Sequence, residues 1–258
     1  MIQPTLLFGA LLSTLCGGIY FYVGRVLSRR HSESPNSRLA WRMFVAWWYA
    51  LASATLLGAA LNLLGAIGAV RLALFTTITI INFLALCVAL YSLMFYLLYL
   101  FTGNRRVLGP LSVFYVAYYG FLVYYVQAGD PISVAVERWQ ASLVYQNELR
   151  GPIITVALLL LLFPPIIGAL AYFMLYFQIE PATQRYRIVL VSWSIIVWFL
   201  SAFLASIAGL SDQDWWQILS RLIGLGAALA ILFAYQPPSW VKRRFGVTSL
   251  SEGDRNAA

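Results

Sequence analysis

The residue types that most often carry catalysis are scarce in this chain. It holds one histidine, His31, and two cysteines, Cys16 and Cys87, among 258 residues. We expect His31 to be solvated in a hydrophilic loop, and the two cysteines to fill space inside apolar segments. Nucleophilic, acid–base and metal chemistry all need reactive groups within mutual reach. The sequence therefore predicts a protein that is not an enzyme and that binds no metal.

Cofactor motifs are missing as well. The chain has no HExxH, GxSxG, P-loop or GxGxxG pattern in a setting that would use it. No acidic residue lies at the middle of an apolar segment, where a proton relay would need one. The single lysine, Lys242, follows the last apolar segment, which excludes a retinal Schiff base. We expect no cofactor.

Polar side chains inside apolar segments are the remaining candidates for a binding site. Asn82, Ser92 and Tyr96 follow the helical repeat of one segment, and an amide at mid-membrane depth needs a partner. Tyr115 and Tyr118 lie in the next segment, at a depth where they would meet Tyr96 and form a stacking pocket for a planar ligand. The alternative is that these residues only close a helix bundle, as polar and small stripes do.

Three further residues have two interpretations each. Arg221 lies about two helical turns into the last apolar segment, and it either snorkels outward or receives the anionic headgroup of a ligand. Pro164 and Pro165 remove two backbone donors near the middle of the fifth segment, so they should kink its helix. The kink is a candidate hinge, although kinked helices also occur in passive bundles.

The composition indicates that these residues lie in a bilayer. The chain is 62% hydrophobic and 10% charged, with a mean hydropathy of +0.80, against about 45–50% and about 25% in soluble domains. Seven windows have the length and apolarity of a membrane-spanning helix: they lie near 5–27, 42–66, 72–101, 107–127, 152–178, 188–210 and 215–236. The sequence predicts an all-α, seven-helix transmembrane bundle.

The distribution of basic residues predicts the orientation of the bundle. Most of the 17 lysines and arginines flank the spans on one side: Arg25, Arg29, Arg30, Arg38, Arg42, Arg105, Arg106, Arg185, Arg187, Lys242, Arg243, Arg244 and Arg255. The positive-inside rule then places the N-terminus outside and the C-terminus in the cytoplasm. The net charge of +8 is accounted for by this asymmetry, so we expect no nucleic-acid partner.

The longest predicted external loop runs from Ala128 to Gly151. Four apolar residues in it have the spacing of one helix face: Ile132, Val136, Trp139 and Leu143. The spacing favours an amphipathic helix lying on the outer leaflet, with a lid over an outward-facing cavity as the alternative.

The end of the last span resembles a known junction. It reads Tyr235-Gln236-Pro237-Pro238-Ser239-Trp240 and is followed by Lys242, Arg243 and Arg244. An apolar helix that closes in Pro-Pro-x-Trp and a basic cluster is similar to the seven-transmembrane input region of bacterial sensor histidine kinases, where the last helix leads into cytoplasmic signalling modules. Neither a phosphoacceptor histidine nor an ATP-binding domain follows Pro238, so the resemblance implies a stand-alone input module or a fragment, in either case without kinase activity.

These observations predict a transmembrane domain over residues 1–240 and a short basic, then polar, cytoplasmic tail over 241–258. Our leading hypothesis is a receptor-like sensory module of the bacterial inner membrane. It would bind a small or lipophilic ligand between its helices and signal through a protein partner, on the cytoplasmic side or within the membrane. The alternatives are a structural or anchoring subunit of a larger membrane complex, and a small-solute transporter.

Overall fold

The computed structural model describes residues 3–29, 35–208 and 214–246, most of which are helical. His31 and the end of the predicted tail, from residue 247, lie outside this part of the chain. The elements are α1 (Pro4–Ser28), α2 (Pro35–Ala66), α3 (Leu72–Thr102), α4 (Leu108–Ala128), β1 (Pro131–Val136), β2 (Ala141–Tyr145), α5 (Arg150–Met174), α6 (Ala182–Ala208), α7 (Asp214–Tyr235) and α8 (Ser239–Phe245), with 3-10 turns at Arg105–Val107 and Leu175–Phe177.

Seven of the described helices are long and apolar enough to cross a membrane, and they coincide with the seven predicted spans. The all-α prediction is confirmed, and the helices are those expected of a multi-pass membrane protein. α2 begins at Pro35 and α6 at Ala182, several residues before the corresponding apolar windows. The difference arises because arginine favours a helix nearly as well as leucine does, so a helix continues past the end of its apolar stretch.

The chain divides into two compact units, Met1–Phe163 and Pro164–Ala258. The first unit holds α1 to α4, the two strands and the first part of α5. The second holds the rest of α5 and α6 to α8. The boundary falls at the paired prolines of α5.

α1 and α2 pack closely because glycines lie at their interface. A Cβ atom added at Gly17 would lie 2.8 Å from Cγ of Leu56, and one added at Gly24 would lie 3.3 Å from Cβ of Trp48. Small residues at such positions let two helix backbones approach, which is the usual packing mode of membrane helices. The Trp41 indole also donates a hydrogen bond to the Leu27 carbonyl, at 3.1 Å.

The segment between α4 and α5 is a β-hairpin, so the amphipathic helix predicted there is wrong: Ile132, Val136, Trp139 and Leu143 do not share a helix face. β1 pairs with β2 in antiparallel register, with Val134 opposite Leu143 and Val136 opposite Ala141. β1 holds three β-branched residues, Ile132, Val134 and Val136, and β2 holds Val144 and Tyr145; β-branched and aromatic side chains pack well on a pleated surface. The segment therefore forms strands, although four of its apolar residues have the spacing of a helix face.

The hairpin is attached to the helices of the first unit. The Asn62 side-chain oxygen accepts a hydrogen bond from the Ala141 amide at 3.1 Å, and the Thr5 hydroxyl donates to the Arg138 carbonyl. A Cβ atom at Gly65 would lie 2.8 Å from that of Ala141, so α2 and β2 are in close contact. The hairpin therefore covers the start of α1 and the end of α2.

In the second unit, α6 and α7 pack through small residues. A Cβ atom at Gly224 would lie 3.0 Å from the Ser201 hydroxyl, and Ser220 and Ala228 are buried on the same helix. Ser220, Gly224 and Ala228 follow one another at intervals of four residues, a spacing of small residues that is typical of packed membrane helices. After Pro237 and Pro238, the short α8 carries the basic residues of the tail.

Candidate functional site

α4 presents two aromatic surfaces, and the first packs against α3. Tyr115 is 5% exposed, and its ring meets that of Tyr91 edge-on at 5.9 Å. The Tyr91 hydroxyl lies 3.1 Å from that of Ser112, within hydrogen-bond distance. Leu122 and Val126 are fully buried on the same face. The predicted ligand residue Tyr115 therefore lies in a packed helix interface.

The second surface is a row of rings that we call the aromatic ladder: Phe114, Tyr118, Phe121 and Tyr125. Successive ring centroids are 5.7, 6.1 and 4.5 Å apart, so each ring contacts the next. At 3.6 residues per turn the four side chains lie within about 60° of one another, about 90° around the helix from the buried face. Phe114 remains 50% exposed and Phe121 39% exposed. The ladder therefore offers an aromatic surface that the rest of the unit leaves partly open.

Two contacts connect the ladder to α5. The Tyr118 hydroxyl donates a hydrogen bond to the Ala157 carbonyl, and the Arg150 guanidinium lies 4.7 Å from the centre of the Tyr125 ring. Tyr118 and Tyr125 are seven residues apart on α4, and their partners Ala157 and Arg150 are seven residues apart on α5 in the reverse order. This pattern is expected of antiparallel helices in constant register.

We expect the same register to bring Phe121 toward Ile154 and Phe114 toward Leu161, both of which are buried. The ladder contacts α5 at Arg150, its first residue, and at Ala157, about two turns before Pro164. Of the predicted site residues, Tyr118 alone belongs to it.

The predicted site residues of α3 have other surroundings. Tyr96 packs against Phe44 of α2, with ring centroids 4.5 Å apart, and Ser92 is 2% exposed. Tyr91 and Tyr96 are five residues apart, which puts them about 140° apart around α3. Tyr96 therefore lies on the face of α3 toward α2, whereas Tyr91 contacts Tyr115 of α4 from another face of α3.

Asn82 is half-buried on α3. We find no hydrogen bond from its side chain to any residue that the structure describes. The partner expected for an amide at this depth is thus not supplied by the described part of the chain.

Arg221 lies in the second unit, on α7, and its side chain is partly buried. One turn earlier Gln217 is buried, and the Ser220 hydroxyl donates to the Gln217 carbonyl at 2.9 Å. Asp212, an acid toward which Arg221 would snorkel, lies outside the described residues. The two interpretations of Arg221 stay predictions.

Pro164 and Pro165 lie inside α5, which continues as a helix on both sides of them. Neither has an amide hydrogen, so the carbonyls of Leu160 and Leu161 lose their helical donors. The boundary between the two compact units falls at Pro164, and the hinge interpretation stays a prediction.

A junction at the end of the ladder brings together α4, β2 and α5. A Cβ atom at Gly129 would lie 2.8 Å from the Tyr145 ring and 3.5 Å from Cγ of Arg150. Burial raises the pKa of Tyr145 to about 12, so its hydroxyl stays neutral at physiological pH. Glu137, in the hairpin turn, accepts a hydrogen bond from Gln140.

Sequence reasoning missed Phe114, Phe121, Tyr125 and Arg150. The signal was present, because positions 114, 118, 121 and 125 follow a 4-3-4 spacing of aromatic residues.

Cys16 and Cys87 are both buried and free, in agreement with their interpretation as packing residues. Among the described residues, no cluster of three or more histidine, cysteine, aspartate or glutamate side chains is placed to hold a metal ion.

The chain was compared with known protein families, with curated proteins and with solved structures, and none of the three comparisons found a match.

Proposed function

We propose that this chain is a non-enzymatic, multi-pass membrane receptor module that binds a lipophilic ligand along the aromatic ladder of α4. The observation that carries the proposal is the ladder itself, whose rings touch one another and are partly open although they belong to a membrane-spanning helix. Aromatic faces and edges supply a large apolar contact area with preferred ring geometries. Such a surface suits a planar or long-chain ligand that enters from the bilayer.

The coupling of this site to α5 supports a signalling role. Tyr118 bonds to Ala157, and Pro164 follows seven residues later in the same helix. A ligand that shifts the Tyr118 ring changes a hydrogen bond close to the two carbonyls that the prolines leave without donors. A ligand shifts a conformational equilibrium only by its difference in affinity for the two states. In our proposal those states differ in the bend of α5 at the prolines.

The proposed location of the contact with a signalling partner rests on the sequence. The positive-inside distribution puts the arginine-bearing starts of α2 and α6, the 3-10 turn before α4, and α8 in the cytoplasm. α8 and its basic residues follow the Pro-Pro pair that resembles the junction of sensor kinase input regions. We therefore place the contact with a signalling partner there, in a bacterial inner membrane.

Native mass spectrometry of the chain, extracted in mild detergent from its own host membrane, tests the proposal. We expect a single chain that carries an additional small-molecule mass. Replacing Phe114 and Phe121 together by Ala should remove that mass, because it removes two rings of the ladder. Replacing Val113 and Val116 together by Ala is the matched control, since both are 70% exposed on another face of α4.

A bare chain, or a ligand mass that survives the loss of both rings, would contradict the proposal. A defined complex with other proteins and no small molecule would instead favour the anchoring-subunit alternative.

A further inference from the structure

We infer that the ligand of the ladder is an anionic amphiphile, and that Arg150 receives its acid group. The inference rests on the proposed function and names the chemical class of the ligand. The acid group is a carboxylate or a phosphate, carried on an acyl chain that lies along the ladder. Phe114 and Phe121 contact the chain, and the guanidinium of Arg150 holds the head.

Arg150 has hydrogen-bonding capacity that the surrounding protein does not use. Its guanidinium stacks over the Tyr125 ring at 4.7 Å. Within the described part of the chain it makes no side-chain hydrogen bond and no ion pair. A guanidinium carries five N–H donors in one plane, and stacking on a ring leaves those donors free to bind oxygen. A carboxylate or phosphate fits this fork with two parallel hydrogen bonds.

The acidic residues near Arg150 in the sequence do not neutralise it. Glu148 and Asp130 are both exposed, and neither forms an ion pair with a described residue. Arg150 is also the first residue of α5, where the helix dipole disfavours a cation. An anionic group bound here would neutralise the charge of Arg150 and would interact favourably with the dipole of α5.

The length of the ladder matches one leaflet. From Phe114 to Tyr125 the rise along α4 is about 16 Å, and half of a bilayer core is about 15 Å. Tyr125 lies near the end of α4 and Arg150 at the start of α5, so the cation lies where headgroups are expected. An acyl chain extending from Arg150 along the rings therefore lies in the same direction and at the same depth as the tail of a leaflet lipid.

The test measures binding of matched acid and alcohol pairs to the purified full chain in a neutral detergent. Palmitic acid is compared with 1-hexadecanol, and dioleoyl phosphatidic acid with dioleoylglycerol. We expect one acid to bind at least about tenfold more tightly than its alcohol, because a hydrogen bond to a charged group contributes on that order. A preference in the first pair identifies a fatty acid, and one in the second identifies a phosphate headgroup.

Arg150→Gln should reduce that preference to nearly none while the affinity for the alcohol stays the same. Arg150→Lys should keep part of it, because the positive charge remains. Arg71→Gln is the control, since Arg71 is an exposed arginine on the same predicted side of the membrane. It should leave both affinities unchanged.

The outcomes separate the inference from the proposed function. A wild-type chain that binds alcohols as tightly as acids overturns the inference, whatever the variants do, and leaves the ladder as an apolar site. An acid preference that survives Arg150→Gln overturns it as well. If no amphiphile binds, or if the loss of Phe114 and Phe121 changes no affinity, the proposed function itself fails.

Discussion

Two helix interfaces of the first unit are built in opposite ways. Between α1 and α2, glycines allow the backbones to approach until an added methyl group would collide with a neighbour. α4 and α5 are instead joined by the hydrogen bond of the Tyr118 hydroxyl and by the Arg150 guanidinium over the Tyr125 ring. The first interface leaves no space for a ligand. The second leaves Phe114 and Phe121 partly exposed, and our proposal places the ligand there.

The largest effect should come from filling the tight interface. We expect Gly17→Leu to destabilise the protein by about 1–3 kcal/mol, the usual cost of overpacking, because its side chain would collide with Leu56. Gly18→Leu is the matched control, since a Cβ atom at Gly18 meets nothing within 4 Å. Thermal unfolding in detergent measures both variants. Equal stability of the two would show that α1 and α2 are not closely packed at Gly17.

An intermediate effect should come from removing the hydrogen bond that Tyr118 of α4 donates to α5. We expect Tyr118→Phe to cost about 1 kcal/mol, the typical net contribution of one hydrogen bond, and to speed amide exchange in α5 around Ala157. Tyr124→Phe should change neither quantity, because Tyr124 is 63% exposed and its hydroxyl makes no hydrogen bond among the described residues. Hydrogen exchange followed by mass spectrometry makes the comparison. The role that we give Tyr118 would be disproved by unchanged exchange around Ala157.

The smallest effect should appear only at high pH, at the junction that ends the ladder. The pKa of Tyr145 is about 12 in the folded protein against a reference value of 10.0. Below pH 10 the hydroxyl is neutral in both states, so it does not change stability. Between pH 10 and 12 the unfolded chain loses the proton first, and stability falls as the pH rises. The unfolding temperature of the wild type should therefore drop more steeply over this window than that of Tyr145→Phe. Parallel curves would show that Tyr145 is not buried.

Gly17 and Gly24 were not singled out from the sequence, although small residues inside apolar segments are the usual sign of helix packing in membranes. The role of Asn62 was not foreseen either, and its side chain attaches the hairpin. The rings of α4 were noticed as tyrosines, and the two phenylalanines that complete the ladder were overlooked because they carry no polar atom.

The hairpin is the clearest failure of sequence reasoning. The prediction used only the helical spacing of four apolar residues. It did not consider that Val134, Val136 and Val144 favour a strand. The choice between the two depends on contacts far away in the sequence. Asn62 accepts a hydrogen bond from the Ala141 amide at the start of β2, and Thr5 donates one to the Arg138 carbonyl in the hairpin turn.

The sequence by itself determined the seven helices, because a lipid core requires about 20 apolar residues for each span and internal hydrogen bonds for every backbone group. It also determined the absence of the common catalytic motifs. The tertiary structure decided which polar and aromatic residues come together. It put Tyr96 against Phe44 of α2, aligned Tyr118 with Ala157, and brought Arg150 to the end of the ladder. The physical reason is that the bilayer fixes each helix independently, whereas the register and facing of two helices depend on how their side chains interlock.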